Sequence, residues 1–243
     1  MAFEPLRGEH LLWLVNGFLQ TLQIAALVIP VATGLGLLAA LAGLARGWPL
    51  RATVGAAIAL LRNSPLLVQL FFWYFGLPAL LPEALREWLN TTQRLPLPGG
   101  FALPWPSYEF LAGMLGLSLY SAAYVAEEIR AGMRGVPPAQ RLAAAALGMR
   151  PWQVFRHVVA PQALRIAASP LIGQYMNITK NSSLTMAIGV MELSYASRQV
   201  ETVTFKTFQA FGVATVLYVL IIAVLEVLAL VVQRRFPVPG GRR

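Results

Sequence analysis

The chain has 243 residues, of which 57% are hydrophobic and 12% charged. A soluble domain carries about 25% charged residues. The composition therefore argues against a water-soluble enzyme and a disordered chain, and the lack of cysteine argues against a disulfide scaffold. What remains is a polytopic membrane protein, with room for about five or six spans of ~20 residues. The net charge is +9, and the acidic residues are all Glu.

Five apolar stretches follow in chain order. The first runs from about 11 to 45. As one helix it would reach ~50 Å, against a hydrocarbon core of ~30 Å. It predicts an interfacial helix over 8–18, carrying Trp13 and Asn16, that leads into a span at about 20–45. No short apolar segment with a small-residue cleavage site marks a signal peptide. The second stretch covers about 52–80. Segment 81–106 differs: Glu83, Arg86, Glu87, Arg94, five prolines and Gly99-Gly100 read as an external loop, with a short helix at 83–90. The third stretch is about 107–126, and Trp105 and Tyr108 suit an interfacial belt at its start. The fourth is about 163–190 and the fifth about 208–233. The expected organisation is one membrane domain over 1–243.

Charge sets the orientation. The 45–51 turn, including Arg46, the 127–165 connection and the C-terminus with Arg242 and Arg243 hold 12 of the 19 basic residues, whereas the opposite loops hold 5. The positive-inside rule places the 12 in the cytoplasm, which with five spans puts the N-terminus outside and the C-terminus inside. The arginine excess follows this topology, so it does not point to nucleic acid.

The 127–165 connection is helical by composition. Pro137-Pro138 suit a helix start, 139–147 propagate it, and Gly148 suits a left-handed cap. Pro151 opens a second short helix over 151–160, with Trp152, Phe155 and Val159 at helical spacing, and Pro161 is expected to end it. A bent hairpin of small Ala side chains flanked by Arg fits a docking element. It equally fits a segment lying on the membrane surface.

Few charges fall within the spans, where each costs at least ~2.5 kcal/mol near mid-membrane. Arg62 lies near the start of the second span; it either snorkels to the inner interface or, with Asn63 and a helix opened at Pro65, lines a pathway. Lys180 lies deep in the fourth, among Asn177, Asn181, Ser182 and Ser183. So polar a cluster should not face lipid. It serves either interhelical hydrogen bonds or a pathway near the bilayer centre. Glu226 is expected to reach the inner interface, and Glu127 and Glu128 to pair with Arg130 and Arg134. His10 and His157 are too few for a His-ligated metal site, and with no Asp or Cys no catalytic constellation forms.

Three blocks carry a resemblance. They are 139–148 (AQRLAAAALG) followed by 160–165 (APQALR), 174–184 (QYMNITKNSSL), and 62–72 (RNSPLLVQLFF). Together and in this order they resemble the permeases of ABC importers, and more narrowly the polar amino acid uptake group, over essentially the whole chain. Leu142 stands where that family's EAA pattern has Glu, Ala139 where it has Gly, and Ala160 where it has Leu before the proline.

The resemblance implies an all-α integral membrane fold of the type I ABC importer permease kind, with five transmembrane helices and a coupling-helix hairpin at 136–160. Gln140, Arg141, Leu142, Ala143, Ala144, Leu147, Gly148 and Arg150 would meet the ATPase. The Glu-to-Leu departure removes one acidic contact, which Arg141 and Arg150 are positioned to replace. The chain has no P-loop, so it carries no cofactor itself and ATP is expected on a partner. The implied partners are a second permease chain, identical or similar, two cytoplasmic ATP-binding subunits, an extracytoplasmic solute-binding protein, an amino acid and membrane lipid. The location is the bacterial inner membrane. Under this reading Lys180 would take the substrate carboxylate, with Asn177, Asn181, Ser182, Ser183, Arg62 and Asn63 along the pathway. The rivals are a carrier or channel without an ATPase, or the non-binding half of a heterodimer.

Overall fold

The computed structural model describes residues 6–45, 47–91, 94–96, 102–104 and 106–235. Arg46, Gly99, Gly100, Trp105, Arg242 and Arg243 lie outside the described residues. The described chain is helical apart from one short antiparallel pairing. In order come α1 (Gly8–Ala42), α2 (Trp48–Asn63), α3 (Leu66–Phe71), α4 (Leu77–Ala79) and α5 (Glu83–Asn90). Then come β1 (Arg94–Pro96) and β2 (Ala102–Pro104), paired with Leu95 opposite Leu103. There follow α6 (Tyr108–Arg134), α7 (Pro138–Ala146), α8 (Pro151–Val154), α9 (Ala160–Asn181), α10 (Leu193–Thr204) and α11 (Thr207–Arg235).

Helices α1, α6 and α11 are each long and apolar enough to cross a membrane, and the broken pair α2 with α3–α4 raises this to four. The helix at 83–90 matches the expected loop helix; the β1–β2 pairing was not expected from so proline-rich a segment. The first stretch also differs from expectation, because α1 is one continuous 35-residue helix rather than an interfacial helix followed by a span. Gly17 does not break it. A Cβ there would meet the Ala196 Cβ at 2.7 Å, so Gly17 is a close-packing residue.

Two π-helical turns, Phe72–Gly76 and Phe155–Val159, share one cause. Each directly precedes an X-Pro pair, Leu77-Pro78 and Ala160-Pro161. Proline cannot donate to the carbonyl four residues back, and its ring crowds that carbonyl. Widening the turn answers the crowding, with Leu77 N–H donating to the Phe72 carbonyl and Ala160 N–H to the Phe155 carbonyl. The second short helix therefore does not end at Pro161; it runs through the π turn into α9.

The chain divides into two compact units, each assembled from three stretches of sequence. The first unit comprises 1–28, 63–120 and 179–217. Its buried side chains include Leu14, Ile24, Leu70, Leu117 and Leu193. Glu192, fully buried, caps α10 by accepting from the backbone N–H groups of Ser194 (3.0 Å) and Tyr195 (2.9 Å). These bonds satisfy a carboxylate that would be costly to bury unpaired. The Thr21 hydroxyl accepts from Leu193 N–H at 3.2 Å and ties α1 to the start of α10.

The second unit comprises 29–62, 121–178 and 218–243. Its core is built of small residues, with Ala40, Ala123, Ala126 and Ala163 packed around Ile58, Met133, Val136 and Val159. Small side chains let membrane helices approach closely. Gly132 of α6 is an example: a Cβ there would lie 2.6 Å from the Ala163 carbonyl oxygen and 2.9 Å from the Ala167 Cβ. Overpacking of this kind costs typically ~1–3 kcal/mol. Gly132→Val is therefore expected to lower the thermal unfolding midpoint of the detergent-solubilised protein by several degrees, followed by Trp fluorescence. Gly173→Ala, where nothing lies within 4 Å of the added Cβ, is expected to leave it unchanged.

Candidate functional site

The 136–160 hairpin is closed by backbone geometry. Gly148 has φ +78°. Its N–H donates to the Ala145 carbonyl at 3.0 Å, and the Met149 N–H to the Ala144 carbonyl at 3.2 Å. That pair of bonds is a Schellman motif, and it stops α7 where the glycine allows a left-handed residue. Beyond it, the Gln153 side chain accepts from Arg150 N–H at 2.8 Å and opens α8. Gln162 of α9 donates through Nε2 to the Gln140 side chain, holding α7 to the helix that follows.

On this frame Ala144 is buried, while Leu142, Leu147 and Trp152 are 70%, 83% and 64% exposed. Gln140, Ala143 and Arg150 are exposed as well. Arg141 is exposed too, and it donates to the Met133 carbonyl near the end of α6. The outward chemistry of the hairpin is thus chiefly apolar.

The polar end of α9 changes helix type. After Asn181 the chain tightens into a 3-10 helix, Ser182–Ile188, ended by Gly189 at φ +89°. Hydroxyls reinforce the tight turn: Ser182 donates to the Thr179 carbonyl at 2.8 Å, Ser183 to the Lys180 carbonyl at 2.7 Å, and Thr185 to the Ser182 carbonyl at 2.7 Å. Ser182 is fully buried. Asn177 and Lys180 are exposed, and Asn181 and Ser183 half-buried. Lys180 makes no ion pair among the described residues, and it occupies the last turn of α9, where the helix dipole favours a cation.

Arg62, at the end of α2, lies within the second unit's ionic network. Its Nη1 is 3.9 Å from Glu127, and its guanidinium stacks 5.3 Å from the centre of the Tyr124 ring. The same carboxylate pairs with Arg130 at 3.0 Å and Arg134 at 3.7 Å. Glu128 instead accepts from the Gln174 amide at 3.2 Å. Asn63, one residue on, is exposed beside the Ser64-Pro65 break.

The sequence reading missed a cavity of about 820 Å³ in the first unit. Trp13, Asn16 and Gln20 of α1 line it, with Tyr74, Glu109 and Tyr195. One carboxylate, the amides of Asn16, Gln20 and Gln199, and several aromatic faces could hold an ammonium group. The signal was present in the Asn16/Gln20 pair, one helical turn apart in an apolar run. The predicted pathway residues do not line this cavity.

These features coincide with a known class of membrane component. The chain belongs to the family described as binding-protein-dependent transport system inner membrane component, whose model matches residues 32–237. It is a multi-pass membrane permease, a component of a transport system rather than a catalyst. Membership implies in general an ATPase partner and a binding protein.

Among relatives, it is 31% identical over 237 residues to the glutamate/aspartate import permease protein GltJ of Escherichia coli K12, covering 95% of this chain and 90% of that one. It is 30% identical to the probable glutamine ABC transporter permease protein GlnM of Bacillus subtilis, covering 81% of each. A solved amino acid ABC transporter, crystallised with histidines, contains a chain that matches with TM-score 0.79 and 27% identity, over 93% of this chain and 95% of that one. The resemblance to ABC-importer permeases, and their all-helical fold, hold.

Proposed function

We propose that this chain forms the translocation pathway of an ATP-driven importer of polar amino acids. It pairs with a second permease chain, identical or similar, and with two cytoplasmic ATP-binding subunits that bind the ATP. A solute-binding protein delivers the substrate from outside. The N-terminus faces out, the C-terminus faces in, and α9 with its 3-10 extension is the fourth of five spans, with α11 the fifth. The amino acid class follows from the names of the relatives.

The observation that carries the reading is the rigid hairpin closed at Gly148, with Leu142, Leu147 and Trp152 turned outward. A carrier or channel working without an ATPase has no use for such a surface. Lys180 is the group that would meet the substrate carboxylate, with Asn177, Asn181 and Ser183 beside it and Arg62 and Asn63 further along the pathway. Gln140, Arg141, Leu142, Ala143, Ala144, Leu147, Gly148 and Arg150 form the ATPase contact, with Ala144 buried beneath the outward residues.

The test is uptake by vesicles containing the full complex and its binding protein. ATP-dependent accumulation of a labelled polar amino acid, absent for a sugar, is expected. Accumulation that continues without ATP or without the ATPase subunit would overturn the reading.

A further inference from the structure

A second cavity, of about 440 Å³, lies in the second unit where α2, α6, α7 and the turn after α1 meet. Arg51 of α2, Arg130 and Arg134 of α6 and Arg141 of α7 all line it. Their only acidic counterpart in the ion pairs of the described residues is Glu127, which Arg130 and Arg134 share with Arg62. Arg51 makes no ion pair among the described residues. A guanidinium carries five N–H donors, so the one bond that Arg141 gives to the Met133 carbonyl leaves most of its donors unused.

Two glycines shape the walls. A side chain at Gly43 would overlap the Arg130 guanidinium, and at Gly55 nothing lies within 4 Å of where a Cβ would stand. Arg51 is in the first turn of the 16-residue α2, whose positive end adds to the field. Leu44, on the cavity wall, and Leu50 are 56% and 52% exposed, which offers apolar surface next to the cationic hollow.

Snorkelling arginines on the cytoplasmic side ordinarily spread along the interface. Here they converge from three helices on one hollow, and Glu127 is the one carboxylate that pairs with any of them among the described residues. We infer that this cavity binds the phosphate of an anionic phospholipid headgroup, with the acyl chains along the exposed leucines. Basic pockets between transmembrane helices on the cytoplasmic side bind such headgroups. The inference takes from the proposed function only that this end of the helices faces the cytoplasm.

The complex with its ATPase, exchanged into nanodiscs of equal phosphatidylglycerol and phosphatidylcholine, is released and its retained lipid measured by native mass spectrometry. Wild type is expected to retain phosphatidylglycerol preferentially. Arg51→Gln with Arg134→Gln is expected to lower that preference about tenfold, whereas Arg198→Gln, in the other unit, leaves it unchanged. Should the double variant not assemble, Arg51→Gln alone carries the test, because no ion pair is lost with it. Equal retention of the two lipids, or an unchanged preference in the variants, overturns the inference. Displacement of the lipid by inorganic phosphate also overturns it, by assigning the cavity to a free anion. No substrate or ATP turnover enters this readout, so its failure leaves the transport reading untouched.

Discussion

Lys180→Ala is expected to lower amino acid uptake by about ten- to hundredfold while the complex still assembles. Hydrogen bonds to charged groups contribute roughly 1.5–3 kcal/mol, and each 1.4 kcal/mol is a factor of ten. The residue is exposed, makes no ion pair among the described residues and packs in no core, so its removal costs the fold little. Lys180→Arg keeps the cation and is expected to recover part of the uptake. Ser182→Ala behaves differently: that hydroxyl is fully buried and clamps the Thr179 carbonyl, so its loss is expected to lower stability as well as uptake. Labelled uptake compared with assembly by size-exclusion chromatography separates the two. Unchanged uptake in Lys180→Ala would remove this residue from the pathway.

Leu147→Asp is expected to abolish co-purification with the ATPase subunit. Leu147 follows the last turn of α7 and is 83% exposed, so the folded chain tolerates a carboxylate there. In the docked complex the same carboxylate would be buried without a partner. An unpaired buried polar group costs at least ~1–3 kcal/mol, and the lost burial of a leucine adds ~1.5–3 kcal/mol. Together these suffice for a loss of affinity on the order of a hundredfold. Retained co-purification with intact ATPase activity would place the docking surface elsewhere.

The hairpin was legible because its signals are local. Pro138 at the start, an alanine run and Gly148 define a helix and its left-handed stop without reference to the rest of the chain, and the structure closes it there with two backbone bonds. Pro161 misled because a proline normally ends a helix, but the adjacent π turn at Phe155–Val159 absorbs it. The packing role of Gly17 had no local signal, since its lack of a side chain answers to Ala196, 179 residues away in sequence. The bond of Arg141 to the Met133 carbonyl depends on how α6 meets α7, which no local pattern records. The cluster at 177–183 stood out as polar residues in an apolar run, yet the 3-10 tightening that buries Ser182 was not visible in the residue types. The Glu109 cavity escaped because its lining comes from distant stretches, each contributing only one or two polar groups.

The central claim is that this chain couples an amino acid pathway to ATP hydrolysis by a separate subunit. The most direct measurement is the ATPase rate of the reconstituted complex with and without amino-acid-loaded binding protein. A rate raised several-fold by the loaded protein, and lost in Leu147→Asp, is the predicted result. Amino acid uptake that proceeds while the ATPase rate stays constant would contradict it.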